Sequence, residues 1–308
     1  MSVGLAKVSI GVPVYNGESY VGPMIESLLR QTMGDFVITI CDNASTDRTA
    51  EICREFASRD PRVRYHRNDV NIGATPNFNR VQDMAHTLGQ YFKWAPADDL
   101  YEPAYLEKCV AALDADPGVV VAFPRTRLID GNGAAMDVDP DVPKLGTMSH
   151  RVTTRFAAAL DEVWCFPELG VHRPQVLRQC VQQSYYGSDK VMLAELCLRG
   201  RFCRVDDVLF LKRWHDDSSM SETQDSKKRS MWAMGLSKAP LIPSQLKMYF
   251  GYQRAVWRVK LPIFDKLACW SLAIGMALRR DKWKKLVVPG PYNYLGITGS
   301  RSNRAQVI

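Results

Sequence analysis

Over its first 100 residues the chain alternates short apolar runs with amphipathic stretches. Residues 7–13 form a β-rich run closed by Pro13 and the turn-like Tyr15-Asn16-Gly17, which predicts a buried strand. Within 18–31, Tyr20, Val21, Met24, Ile25, Leu28 and Leu29 fall at helical spacing. Residues 36–41 are a second apolar strand, followed by Asp42-Asn43-Ala44-Ser45-Thr46-Asp47. Ser45 or Thr46 can cap the helix expected after it. A third strand covers 63–66, then the turn Asn71-Ile72-Gly73, then a helix over 76–88. Residues 91–95 are a fourth strand, ending at Asp98-Asp99.

Further on, the pattern predicts a helix over 103–113, a strand over 119–123 and an extended piece over 126–129. Residues 130–150, rich in Gly, Pro and Asp, read as a long surface loop. Helices are expected over 151–161 and 188–198, and a strand over 169–173. The apolar run 202–213 is broken by Asp206-Asp207, so it reads as a bent strand or hairpin arm. Alternating strands and helices with short connections make a parallel α/β sheet the default. Ligands bind such sheets beyond the carboxyl ends of the strands. Four polar clusters stand at those ends: Tyr15-Asn16, Asp42-Asn43, Asn71-Ile72-Gly73 and Asp98-Asp99. Their convergence on one rim says more than any one of them.

Charge divides the chain. It carries 40 Lys+Arg and 33 Asp+Glu, a net +7. Residues 226–308 hold 16 Lys+Arg against only Asp265 and Asp281, or +14, which leaves −7 on residues 1–225. A mildly acidic body with a basic tail suggests a polyanionic partner for the tail. The composition, 46% hydrophobic, excludes global disorder. No apolar run approaches the roughly 20 residues that span a bilayer. None of the eight cysteines forms a C-x-x-C pair, so they read as small core residues of a reduced compartment. No basic head with an apolar run opens the sequence, and the expectation is a cytoplasmic protein.

Adjacent carboxylates after an apolar strand suit a hard divalent cation such as Mg²⁺, which leaves other positions to water and phosphate. Such a cation neutralises charge growing on a diphosphate leaving group. Asp98-Asp99 equally suits a solvated acidic turn before a helix. Asp42 can accept from the N–H of a nucleobase, or serve as a helix cap. Neither G-x-x-x-x-G-K-[ST] nor G-x-G-x-x-G occurs, which removes the main support for P-loop and dinucleotide-binding readings.

Taken together, VSIGVPVYNGE at 8–18, ICDNASTD at 40–47, N-x-G at 71–73 and ADD at 97–99 resemble the family 2 glycosyltransferases. The match is strong over 8–99 and looser to about Ser218. The resemblance implies a GT-A nucleotide-sugar fold, mostly parallel and Rossmann-like, over residues 1–225, with a basic, mainly helical region over 226–308. It implies an inverting enzyme that uses Mg²⁺ or Mn²⁺, a nucleoside-diphosphate-sugar donor with a lean to UDP, and a glycan or lipid-linked acceptor. Pro13, Tyr15 and Glu18 are similar to the loop that holds the nucleoside, and Asp42 to the base-reading aspartate. Asn71 and Gly73 resemble the turn beneath the nucleotide. Asp98 would then lie nearer the ribose, with Asp99 as the metal ligand.

An inverting displacement needs a carboxylate opposite the leaving diphosphate to take the acceptor's proton. In the family it stands at the start of a helix, and Asp189 in YYGSDK fits, although the commoner form has a second acid where this chain has Ser188. Asp189 can also simply favour the positive end of that helix. Asp161, Glu162 and Glu168 are rivals. Some relatives place a histidine near His215 to complete the metal site; a packing role is the alternative. Arg213 and Ser218 can reach phosphate, and Trp94, Trp164, Tyr185 and Tyr186 can stack on a sugar or lie in the core.

The apolar run 267–278 is flanked by Lys and Arg and accompanied by Tyr249, Phe250, Tyr252, Trp257, Trp270 and Trp283. Twelve residues cannot span a bilayer. Residues 247–285 can instead lie on an anionic membrane surface, on the inner face for a cytoplasmic protein. Packing on the body and a homo-oligomer contact are equally open, while no nucleic-acid module is visible. Two rival functions remain: a sugar nucleotidyltransferase, which lacks its Gly-rich basic loop here, and a non-catalytic scaffold on the same fold. The reading commits to glycosyl transfer in cell-envelope glycolipid or polysaccharide synthesis.

Overall fold

The computed structural model describes residues 4–138, 140, 145–161, 165–180, 183, 185–215, 231, 233–235 and 242–279. Glu162, Trp164, Ser218, the expected boundary at 226 and all of 280–308 lie outside the described residues. The apolar runs become β1 (Ala6–Val14), β2 (Phe36–Asp42), β3 (Val63–Arg67) and β4 (Gly89–Trp94). Four more strands follow: β5 (Leu100–Tyr101), β6 (Val119–Ile129), β7 (Val171–His172) and β8 (Arg201–Arg213). All eight join one sheet in the order β3-β2-β1-β4-β7-β6-β8-β5. β1 through β4 pair in parallel. Every residue of β2 is buried, as a strand covered on both faces requires.

The intervening amphipathic stretches form α1 (Val21–Leu29), α2 (Thr49–Arg59), α3 (Ala74–Ala85) and α4 (Tyr105–Ala115). Then come α5 (Val152–Leu160), α6 (Pro174–Leu177), α7 (Ser188–Arg199), α8 (Ser244–Arg258) and α9 (Ile263–Leu278). The described part of α8 and α9 is not a separate body. Tyr252, Ala255, Val256, Cys269 and Ala273 join the same buried apolar cluster as Val8, Ile10 and Ile38 of the sheet.

Three expectations change, and one open alternative closes. Ser45 and Thr46 do not cap α2; the Ser45 hydroxyl accepts from the Asn16 N–H instead. The two extended pieces at 119–129 are one strand, irregular around Pro124–Thr126, and there β8 passes Asp206-Asp207 without pairing them. The strand expected over 169–173 shrinks to a 3₁₀ turn (Phe166–Leu169) followed by β7, which runs antiparallel to both β4 and β6. Trp94 is core: it is fully buried, edge-on to Phe92 and His172, with its indole N–H on the Phe78 carbonyl.

Two buried bases sit where β4 meets β7. The Lys93 ammonium lies over the Tyr101 and Tyr105 rings, at 4.3 and 4.2 Å, and donates to the Leu169 carbonyl at 2.7 Å. Burial brings its pKa down to about 7. His172 donates from Nε2 to the Glu168 carbonyl at 2.7 Å, and burial holds it down at about 4. The unfolded chain protonates this imidazole near its ordinary 6.5, so between 6.5 and 4 the unfolded state binds more protons. Stability should therefore fall as the pH falls through that window, with a slope of up to about 1.4 kcal/mol per pH unit. Urea titrations at a series of pH values test this. His172→Gln should flatten the slope, and an unchanged slope would exclude His172 as its source.

Candidate active site

Parallel pairing sets three strand ends abreast: Val14 is in register with Asp42, and Asp42 with Arg67. The exit loops of β1, β2 and β3 therefore share one edge, and polar side chains knit them together. Asn16 sits at φ 49°, and its side-chain oxygen accepts from the Thr46 N–H at 2.8 Å. The Gly17 N–H donates to the Thr49 hydroxyl and the Glu18 N–H to Asp47. In return Glu18 accepts from the Arg48 N–H at 2.9 Å. Ala44, at φ 62°, is held in the left-handed region that L residues rarely adopt. Thus most of the D-N-A-S-T-D segment is used to clip the first loop to the second.

Behind this clip lies a lattice of four asparagines. Asn43 donates to Asn71 at 2.8 Å and to the Gly73 carbonyl, and accepts from Asn68 and from the Ile72 N–H. Asn68 also donates to Asn77, which donates to the Cys41 carbonyl. Asn71 in turn accepts from the Gly73 N–H. Gly73 has φ 92°, and a Cβ there would lie 2.4 Å from the backbone nitrogen of Gly235. The turn therefore needs glycine twice over, for its backbone angle and for close approach.

Asp42 ends β2 fully buried and accepts from three donors: the Ser45 N–H, the Tyr65 hydroxyl and Arg67 Nη1, at 2.8, 2.7 and 2.7 Å. A base reaching this carboxylate has to replace one of them. Arg67, 37% exposed, is the partner most open to solvent. Pro13 is buried in β1, while Tyr15, Glu18 and Asn71 are exposed along the rim.

The fourth strand end is tied to the far half of the sheet. Asp99 is 0% exposed; its Oδ1 accepts from the Arg213 N–H at 3.0 Å, and Lys212 Nζ lies 3.0 and 3.2 Å from its two oxygens. Asp98 keeps 25% of its side chain exposed, and its Oδ2 lies 3.3 Å from His215 Nε2. Burial would raise Asp98, but Lys212 and the His215 hydrogen bond outweigh it and hold the carboxyl at about 2. In Asp99, burial outweighs Lys212 and lifts the carboxyl to about 7. Arg213 braces the loop by donating to the carbonyls of Asp98, Asp130 and Gly131, while Tyr20 packs against both Arg213 and His215.

Asp189 heads α7, just after Gly187 at φ 87°. Burial, with the charge of Asp189 adding to it, raises the Cys165 thiol well above its ordinary range. Burial and the charge of Asp189 also push Tyr185 up to about 12. The same turn carries Leu169, whose carbonyl receives Lys93 and the Tyr105 hydroxyl, so the Asp189 cluster is anchored to β4. Of the rivals, Asp161 forms an ion pair with Arg279, and Glu168 is buried.

Sequence reasoning missed Tyr65, Arg67, Lys212 and the partners Asn68 and Asn77. Lys212 did leave a signal: a lysine inside an apolar strand needs a buried counter-charge. The asparagines left none, because their partners come from distant loops.

Asp98 and His215 offer an oxygen and an imidazole nitrogen side by side at a partly open surface, a donor set that suits Mg²⁺ or Mn²⁺ with other positions left to water and phosphate. Among the described residues no group of three or more His, Cys, Asp or Glu gathers into a fuller cage.

Comparisons with known proteins bear on the family and the fold. The model for "Glycosyl transferase family 2" matches residues 9–154. The chain is 33% identical over 127 residues to the chondroitin synthase of Escherichia coli, covering 41% of this chain and 18% of that one. The chain thus spans under a fifth of that relative's length. The S. aureus TarS 1-349 structure in complex with UDP superposes with a TM-score of 0.64 at 16% identity, covering 92% of this chain and 75% of that chain. The mannosyltransferase PcManGT from Pyrobaculum calidifontis, in complex with GDP-Man and Mn²⁺, gives 0.54 at 17% identity over 95% and 86%. The sheet and its flanking helices are the GT-A fold. Over residues 9–154, just under half of its length, the chain matches glycosyl transferase family 2.

Proposed function

We propose that this protein moves a sugar from a nucleoside-diphosphate donor to a hydroxyl acceptor, with inversion, in the assembly of an envelope glycolipid or polysaccharide. The observation that carries the reading is the gathering of the loops after β1 to β4 at one edge, with Asp98 and His215 side by side there. The ligands named with the similar structures support the donor class: UDP in one and GDP-Man with Mn²⁺ in the other. A lean to UDP follows the TarS likeness.

The exposed Tyr15 and the loop around it hold the nucleoside, above the turn of Asn71 and Gly73. Asp42 meets the base in exchange for Arg67. Asp98 and His215 would hold a divalent cation, which would supply positive charge beside the diphosphate. Asp99 sits beneath them as the fixed partner of Lys212, and its complete burial supports this exchange of the roles expected of the two aspartates. Asp189 accepts the proton of the acceptor hydroxyl. The oxygen then bonds to the anomeric carbon as the bond from that carbon to the phosphate oxygen breaks, and the nucleoside diphosphate leaves.

Three measurements test these roles. Asp189→Asn should lower transfer by about 10²- to 10⁴-fold while nucleotide affinity by calorimetry stays unchanged; full activity would remove Asp189 as the base. Asp98→Asn should weaken Mn²⁺-dependent nucleotide binding by ~10-fold or more, and affinity equal to wild type with and without EDTA would exclude the metal role. Above pH 7, where Asp99 is ionised, Lys212→Met should destabilise the fold by about 3–5 kcal/mol, because it leaves that carboxylate buried without its counter-charge. The double variant Asp99→Asn/Lys212→Met should recover much of that loss in urea unfolding; a strictly additive pair would show that the two groups do not act together.

A further inference from the structure

Helices α8 and α9 bury one face and leave the other bare. On α8, Tyr252, Ala255 and Val256 point into the body, while Phe250 and Trp257 are exposed on the opposite side, with Arg254 between them in the sequence. On α9, Cys269, Ala273 and Met276 are buried, while Phe264 and Leu278 are 84% and 75% exposed and Leu267 and Trp270 lie open between them. The Trp257 and Trp270 rings meet edge-on at 6.2 Å, which joins the two bare faces into one surface. Water-exposed aromatic and aliphatic side chains on this scale mark an interaction site.

Charge identifies the occupant. From Ser244 to Arg279 there are six cations and one acid, Asp265. Arg258 and Arg279 are partly used on Glu195 and Asp161 of the body. Arg254, Lys260 and Lys266 pair with no carboxylate among the described residues, and Lys266 reaches back over the Trp257 ring. At the end of α8 a hollow of about 620 Å³ opens beside Leu198 and Val259, with Arg199, Arg258 and Lys260 in its wall. Among the described residues only Glu195 offsets the two arginines, so this wall is positive. A two-fold contact with a second copy would set this cationic face against itself. An anionic lipid surface complements both of its properties: acyl chains take the aromatic and aliphatic side chains, and headgroup phosphates take the Lys and Arg at its edge.

Crossing by α9 is excluded by length and by packing. α9 has 16 residues, about 24 Å of helix at ~1.5 Å per residue, and its inner face is committed to the core. Among the described residues no helix is long and apolar enough to cross a membrane.

We infer that the outer face of α8 and α9 seats the protein on an anionic lipid surface, with Phe250, Trp257, Phe264, Leu267, Trp270 and Leu278 entering the interfacial layer. The inference stands apart from the sugar-transfer reading, and its test does not use activity. The full chain is sedimented with phosphatidylcholine vesicles and with vesicles that also contain phosphatidylglycerol. Partitioning onto the anionic vesicles should be at least ten-fold stronger, fall with added salt, and shift the tryptophan emission to the blue. Phe264→Glu/Leu278→Glu changes two side chains that project into solvent, so the unfolding midpoint should hold while vesicle binding drops at least ten-fold. Lys260→Glu/Lys266→Glu should remove the preference for anionic lipid. Vesicle binding unchanged in Phe264→Glu/Leu278→Glu would assign it to residues outside this face and overturn the inference. So would absence of vesicle binding, or a dimer in sedimentation velocity that the same variant dissociates without any effect on vesicles.

Discussion

One buried ammonium holds the two halves of this sheet in a working relation. Lys212 stands near the end of β8, on the far side of the sheet, yet its Nζ lies 3.0 Å from Asp99 and 3.8 Å from Asp98 in the loop that leaves β4. One positive charge shared between two adjacent carboxylates leaves the pair with a residual negative charge, turned toward His215 and the open edge. Desolvation alone would drive both carboxyls toward the neutral form. Lys212 reverses that for Asp98, so the open carboxylate is ionised throughout the physiological range. The deeper Asp99 gives up solvation to fix the geometry of its neighbour.

The rest of the rim obeys the same logic of neutral or paired polar groups in place of water. Asparagine lattices suit this edge, because an amide both donates and accepts and carries no charge that must be neutralised. Asn43 alone makes four such bonds, uniting the end of β2 with the turn that begins α3. Rigid loops of this kind hold a ligand-binding edge in place before any ligand arrives, which lowers the ordering cost of binding. The left-handed Asn16 is held by its bonds with Ser45 and Thr46, and left-handed backbone at Asn16 and Ala44 is of the kind that concentrates at functional edges.

The second cluster, around Asp189, depends on the C-terminal helices. Gly187 lets α7 begin against Met248 of α8, and a Cβ at that position would lie 2.5 Å from the Met248 sulfur. Burial, with the charge of Asp189 adding to it, raises the Tyr252 hydroxyl of α8 well above its ordinary range. The basic C-terminal region is therefore more than an appendage: its inner face helps to build the surroundings of the proposed base, while its outer face is free for another task.

The sequence by itself determined the order of the elements. Apolar runs and helical spacing placed β1 to β4 and the first three helices within a few residues, because local periodicity records which face of each element is covered. Loop motifs likewise marked the edge at which the ligand would lie, since strand ends in a parallel sheet must exit on one side. Only the tertiary structure decided how the acidic residues divide their labour. Asp98 and Asp99 are adjacent and chemically identical in the sequence, and the difference between them arises from Lys212, Arg213 and His215, more than a hundred residues away. The fate of α8 and α9 was equally undecided, because an amphipathic helix with aromatics on several sides fits a core, a partner or a lipid surface. Burial of Tyr252 and Cys269 chose one face for the core, and exposure of Phe264 and Leu278 left the other to solvent. Periodicity reports that a face is apolar, but only the packed fold determines what stands opposite it.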